Sequence, residues 1–305
     1  MTTYLIRRVL LSFPVLFVTA FLVFGALHLS PGDPVEVIVG PLASEQVRET
    51  VRHNLGLDKP LPVQFALYMS HIAQGDLGQS ILNKRQVSEM IGEKLPVTAE
   101  LGLTAFILTY LLGVPLGTYA ALKRNSVSDV VTMVIALLGV SMPAFWLGLL
   151  LMYLFSVHLR LFPATGHGSF TQLVLPALAL SLPLVGRVAR ITRSTVLEVI
   201  GQDYIRTARA KGLGERIVIS RHALRNALIP IISLMGLDFG YILGGSVVIE
   251  NVFARAGIGD MILRSIYSRD FPVLQGCMFV LAGGIVVGNI LADVAYVLVD
   301  PRIRH

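Results

Sequence analysis

The chain is predicted to be an all-α membrane protein of six transmembrane helices, with both ends on the inner side. Three observations point there. Only 14% of its 305 residues are charged and 54% are hydrophobic, with a mean hydropathy of +0.72, whereas a soluble domain carries roughly a quarter charged residues. Uncharged runs of about twenty residues recur, the length that crosses a hydrocarbon core of about 30 Å. The basic residues, which raise the pI to about 9.6, gather at the ends of those runs rather than among aromatics on one polar domain. That is how membrane topology is written, and it sets nucleic acid aside as a partner in favour of the lipid bilayer.

The first span covers residues 9–30 and follows Arg7 and Arg8. It is longer than a secretion-signal core and no Ala-x-Ala site follows it, so it reads as a retained span. The second covers 101–122 and the third 130–157, with Pro143 in its middle. A fourth, 170–186, reads as short and interrupted by Pro176 and Pro183; 227–249 and 271–292 complete the six. Residues 187–226 hold nine basic and three acidic side chains, net +6, whereas 31–96 hold six basic and eight acidic, net −2. This asymmetry orients the chain N-in and C-in.

Residues 31–96 are too many for a bare connection. Val47, Val51 and Leu55 recur every four residues after Ser44, a capping type, and Gly56 closes the run; Val87, Ile91 and Leu95 repeat the pattern. A small helical cap on the outer face is expected.

The one long polar and basic run is 203–230, DYIRTARAKGLGERIVISRHALRNALIP. Asp203 is an acidic cap for a short helix that stops at Gly212, where a left-handed residue ends helices. A second short helix starts at Glu215, and Leu213, Ile217 and then His222 or Leu224 form a narrow apolar stripe facing a partner or the bundle.

This run resembles the cytoplasmic loop of ABC-importer permeases, in which Glu-Ala-Ala, three residues, Gly, nine residues and Ile-x-Leu-Pro form a helix-turn-helix that docks on an ATPase. Aligned on Gly212, the chain has Arg206, Thr207 and Ala208 at the Glu-Ala-Ala positions, and His222 and Arg225 in place of Ile and Pro, with Leu224 kept. These departures are similar to one branch, the inner-membrane permeases for dipeptides, oligopeptides and nickel, with DY-x-RTARAKGL followed by HALRNA and a Pro. HLSPGDP at 28–34, LGLDKPLPVQF at 55–65, GDLGQS at 75–80, FPATG at 162–166, Glu250 with Asn251, and DPR at 300–302 extend the resemblance over the whole chain. It implies a type I importer permease fold with an extracytoplasmic helical cap and a cytoplasmic coupling helix. It implies as partners a second homologous permease, two ABC ATPase subunits that carry ATP and Mg, and an extracytoplasmic solute-binding protein. Coupling residues by this resemblance are Asp203, Thr207, Ala208, Gly212, Leu213, His222 and Asn226.

No Gly-rich phosphate loop ending in Gly-Lys-Ser or Gly-Lys-Thr is present, so no cofactor is expected on this chain and it is not expected to be an enzyme. The seven histidines are scattered without a His-x3-His pair, and the single Cys277 lies in an apolar run, so no metal site is expected. Small-residue ridges stand at Gly113 and Gly117, at Gly236, Gly240 and Gly244, and at Gly284 and Gly288. They suit close helix packing, within one subunit or against a second permease. Asp238 lies near the centre of the fifth span, about 200° round the helix from its glycine ridge, where an ionised carboxylate needs a partner or water. It reads as a pathway residue or as a structural hydrogen-bonding group. Asn289 and Trp146 are further pathway candidates; Glu100 and Asp293 lie near opposite ends of their spans. Nickel, a metal chelate or a glutathione-like solute remains an alternative cargo, and an ion-gradient transporter with Asp238 as coupling carboxylate is the reading of another class.

Overall fold

The computed structural model describes residues 2–29, 35, 39, 40, 43–54 and 56–299. Residues 30–34, Leu55 and the DPR motif at 300–302, on which parts of the sequence reading fall, lie outside these. Eleven helical elements follow in order among the described residues. They are α1 (Thr2–Leu29), α2 (Glu45–Asn54), α3 (Leu61–Ala73), α4 (Val87–Leu122), α5 (Val127–Ser141) and α6 (Ala144–His158). Then come α7 (Phe170–Ile200), α8 (Asp203–Ala210), α9 (Glu215–Val252), α10 (Ile258–Ser268) and α11 (Phe271–Val299). Five are long and apolar enough to cross a membrane, or six crossings if the bent pair α5 and α6 counts as one.

Proline positions decide three departures from the predicted spans. The third span is not one rod, because α5 and α6 meet at 109°. Pro143 offers no N–H and forces Met142 into an extended conformation (φ −94°, ψ 130°), so the first helix ends there and the second starts afresh. The fourth span is neither short nor interrupted: α7 runs unbroken for 31 residues through Pro176 and Pro183. Pro176 leaves the carbonyl of Gln172 without its helical donor, and Arg255 Nη1 donates to that oxygen at 3.2 Å. A neighbour has replaced the missing bond, which is what allows proline inside a membrane helix. The fifth helix begins well before 227. The segment at Glu215 is no separate short helix; it continues through a π turn, Val218–Ala223, into Leu224–Val252.

α7 is the hub. Leu173, Leu175, Ala177, Ala179, Leu180 and Leu184 on it are buried with Leu101 and Ala105 of α4 and Ile242 and Ile249 of α9. Close approach explains several glycines. A Cβ at Gly113 would lie 2.8 Å from Val188 Cγ1, one at Gly117 would strike the Ala189 carbonyl, and one at Gly186 the Ala136 carbonyl. A second core joins the start of α4 to α10 and α11 through Val87, Ile91, Ile258, Val273 and Cys277. Val87, Ile91 and Leu95 thus belong to a 36-residue helix rather than to a separate cap helix.

Between α1 and α4, α2 is polar while α3 is apolar, and no residue of α3 is buried. Phe65 of α3 packs against Phe17, Phe21 and Phe24 of α1 with ring centroids 5.3–5.5 Å away. Phe17 lies twelve residues, about 18 Å, inside the end of α1 at Leu29. α3 therefore lies beside the first span rather than beyond it.

Candidate coupling turn and translocation site

The turn between α7 and α9 is built from local chemistry. Gln202 occupies the N-cap position of α8, so Asp203 is not the cap; it is the first helical residue, where its charge meets the positive end of the helix dipole. Thr207 Oγ1 donates to the Asp203 carbonyl at 3.0 Å. Gly212 takes φ +77°, a left-handed conformation that side chains resist, and nothing lies within 4 Å of a Cβ placed there. The chain reverses at that residue because of backbone freedom rather than crowding.

Three contacts hold the turn. Ile205 and Ala208 of α8 are buried against Val218 and Ala223 of α9. Arg209 grips Glu215 across the corner with Nη2–Oε1 at 2.6 Å and Nε–Oε2 at 3.1 Å, and this fork raises the Arg209 pKa above its usual value. Asn226 Nδ2 donates to Tyr204 Oη at 2.8 Å. Outward stand Tyr204, Thr207, Leu213 and Ile217, the last two 37% and 47% exposed, with Lys211 and Arg216 beside them. His222 and Leu224 are half-buried. The result is a firm corner with an apolar and basic outer face.

Asp238 is fully buried. Tyr110 Oη of α4 donates to its Oδ2 at 2.6 Å and Arg187 of α7 pairs with its Oδ1. Asp238 thus faces α4 and α7, while Gly236 faces α11, where a Cβ would lie 2.5 Å from Asn289 Oδ1. The carboxylate and the glycine ridge are on opposite sides of α9, as the helical angle requires. Gly240 and Gly284 approach Ile285 and Leu243 across the same α9–α11 seam, and Gly288 meets Phe239. The glycine ridges pack within the chain except at Gly244, where the space is open. Asn289 lies at that seam; Trp146, 43% exposed on α6, has no hydrogen-bond or ring partner among the described residues. Asp293 pairs with Arg8 of α1 at 3.1 Å.

Arg187 and Tyr110 escaped the sequence reading. One signal was available: a carboxylate inside a span demands a cation, and Arg187 is the first charge after the uncharged run 170–186. Three further anchors were invisible. At the far end of α9, the buried Arg255 pairs with Glu100 of α4 at 2.9 Å, and Glu250 Oε2 accepts from the Gly259 and Asp260 amides at the start of α10, at 2.8 and 3.3 Å. Near the α8 end, Arg193 of α7 forks onto Asp129 of α5 at 2.6 and 2.7 Å.

Comparison with known proteins gives this geometry its context. Residues 113–305 match the binding-protein-dependent transport system inner membrane component, and residues 1–102 match the N-terminal part of such components. The glutathione transport system permease protein GsiC of Salmonella choleraesuis is 44% identical over 305 residues, covering all of both chains. A protein of Brucella abortus described as a peptide transport system permease is 44% identical over 313 residues, again with full coverage of both. A solved structure of the MetNI methionine ABC transporter, inward facing and 16% identical, has a TM-score of 0.60 over 69% of this chain and 96% of that one, and shows a shared fold. The chain is a multi-pass inner-membrane permease and belongs to the family of binding-protein-dependent transport system inner membrane components.

Proposed function

We propose that the chain is one of two permease subunits of an importer for dipeptides, oligopeptides or a glutathione-like solute, driven by ATP and Mg held on two separate ATPase subunits. The observation that carries this reading is the α8–Gly212–α9 corner. A partner that pushes on α8 moves a unit already locked by Ile205, Ala208, Val218 and Ala223, and that unit continues without a loop into α9. The exposed Leu213 and Ile217, with the flanking basic residues, offer a groove on an ATPase something to seat. The basic segment 187–226 puts this corner on the cytoplasmic side, and the opposite ends of α4, α9 and α10 receive a solute-loaded binding protein. The glutathione and peptide names of the relatives support a peptide-like cargo over nickel or a metal chelate. An ion-gradient mechanism would want a carboxylate free to take and release a cation, and Asp238 is already committed to Arg187 and Tyr110.

The test is ATP hydrolysis by the complete complex in liposomes, with its binding protein loaded with short peptides or with nickel or a nickel chelate. Stimulation by peptides alone is the expected result. Stimulation only by the metal species would replace the cargo and leave the architecture; the absence of any associated ATPase would overturn the importer reading.

A further inference from the structure

We infer that Arg187 is a carboxylate-recognising residue of the translocation pathway, and that the group it takes is the C-terminal carboxylate of a peptide-like solute. This rests on the importer reading above. Three observations converge on it.

The first is the pattern of exposure on α7. This helix is the most enclosed in the bundle, yet its inner half has one open face, and that face is polar. Arg187, Arg190, Ser194 and Glu198 recur at three- and four-residue spacing, Arg187 with a third of its side chain exposed and the others exposed. The open residues of α5 are of the opposite kind: Val130, Val134, Ile135, Leu137 and Leu138. An apolar face of that sort suits lipid, whereas a guanidinium facing hydrocarbon is costly. The open face of α7 therefore turns toward water and solute.

The second is the state of the guanidinium. Asp238, itself hydrogen-bonded by Tyr110, pairs with it from behind and orients it inside the bundle. Arginine has five N–H donors in a planar fork. One terminal nitrogen, Nη2, is spent on Asp238, while a third of the side chain stays open to a second partner. The pair is anchored but not saturated, which is the condition for accepting a second carboxylate without breaking the first contact.

The third is the neighbouring face of α9. Ser233, Leu237, Tyr241 and Gly244 form an open stripe that passes beside Arg187, with the Arg187 Cζ 5.8 Å from the Tyr241 ring centroid and free space at Gly244. A solute whose carboxylate sits on Arg187 has an aromatic ring alongside and room for its side chain. Asp238, fully enclosed, positions Arg187 and does not itself touch the solute.

The experiment is uptake by the reconstituted importer of one short peptide with a free C-terminus and of the same peptide C-terminally amidated. Rates are normalised to the binding protein's own affinity for each form, and each variant's level in the membrane is measured. The wild type takes up the free form about tenfold better, the scale of one lost hydrogen bond to a charged group on an exposed donor. Arg187→Gln brings the free form down to the amidated level, and Arg187→Lys keeps part of the preference. The neutral pair Arg187→Gln with Asp238→Asn removes the unpaired buried charge and still lacks the preference. Recovery of wild-type preference in that double variant would make the pair purely structural and overturn the proposal, as would equal uptake of both peptides by the wild type. Uptake of neither peptide by the wild type would instead overturn the importer reading on which it rests.

Discussion

Gly212 is required for its backbone angle and not for its size, and that separates two substitutions. Asparagine tolerates the left-handed region far better than a β-branched residue does. Gly212→Val is expected to leave the protein in the membrane while uncoupling ATP hydrolysis from uptake, and Gly212→Asn to retain most coupled uptake; equal behaviour of the two would detach the turn angle from coupling. Arg255 makes a different argument. It is fully buried, its charge is met by Glu100, and its Nη1 completes the bond that Pro176 removed from α7. Arg255→Ala strands an acceptor and empties a buried site, at a cost of about 3 kcal/mol. A drop in the thermal midpoint of the purified complex, with Arg264→Ala on the exposed face of α10 as the neutral control, is the measurement that checks it.

Among elements, magnitudes say which contacts hold the turn. The Arg209–Glu215 fork is exposed, and such pairs are worth at most about 1 kcal/mol. Truncating a buried isoleucine costs about 2–5 kcal/mol. Glu215→Ala is therefore expected to change coupled uptake less than about fivefold, whereas Ile205→Ala releases α8 from α9 and lowers it severely; the reverse order in a transport assay would transfer the turn's integrity from its core to its surface. Helix contacts sort the glycines in the same way. Gly117→Val drives a side chain into the Ala189 carbonyl and Thr192 of α7, and lost membrane accumulation is expected. Gly244→Val enters open space, so the chain accumulates normally and only transport is exposed to the change. The element scale also marks where the sequence stopped being legible. The α8 corner was readable in its Gly212 turn and its apolar spacing, which are local, whereas its cap fell to Gln202 rather than Asp203 and Glu215 opens no separate helix. The fates of Pro143 and Pro176 were not. The same residue breaks one helix and is absorbed in the other, and the difference is a donor that arrives from Arg255, far along the chain.

At the scale of the whole molecule, hydropathy was enough for an all-helical membrane fold of five or six crossings, because the bilayer imposes length directly. It was not enough for the pairing of Asp238 with Arg187 and Tyr110, which brings three helices together and leaves no local pattern. Nor did it reveal that α3 lies beside α1. A nitroxide placed at Leu67 on the open side of α3 is expected to collide more with oxygen than with a water-soluble nickel complex, since a largely apolar helix of thirteen residues is too short to span and too apolar to stand in water; the opposite ratio would return α3 to the outer cap. The long helix α9 carries a consequence for intervention. It runs 38 residues from the Gly212 corner to the one pinned by Arg255, so whatever free energy links the two ends acts equally in both directions. A small molecule that bound the Arg255 corner from the outer side and shifted α9 would change the affinity of the Gly212 corner for whatever docks there by the same factor, without ever crossing the membrane.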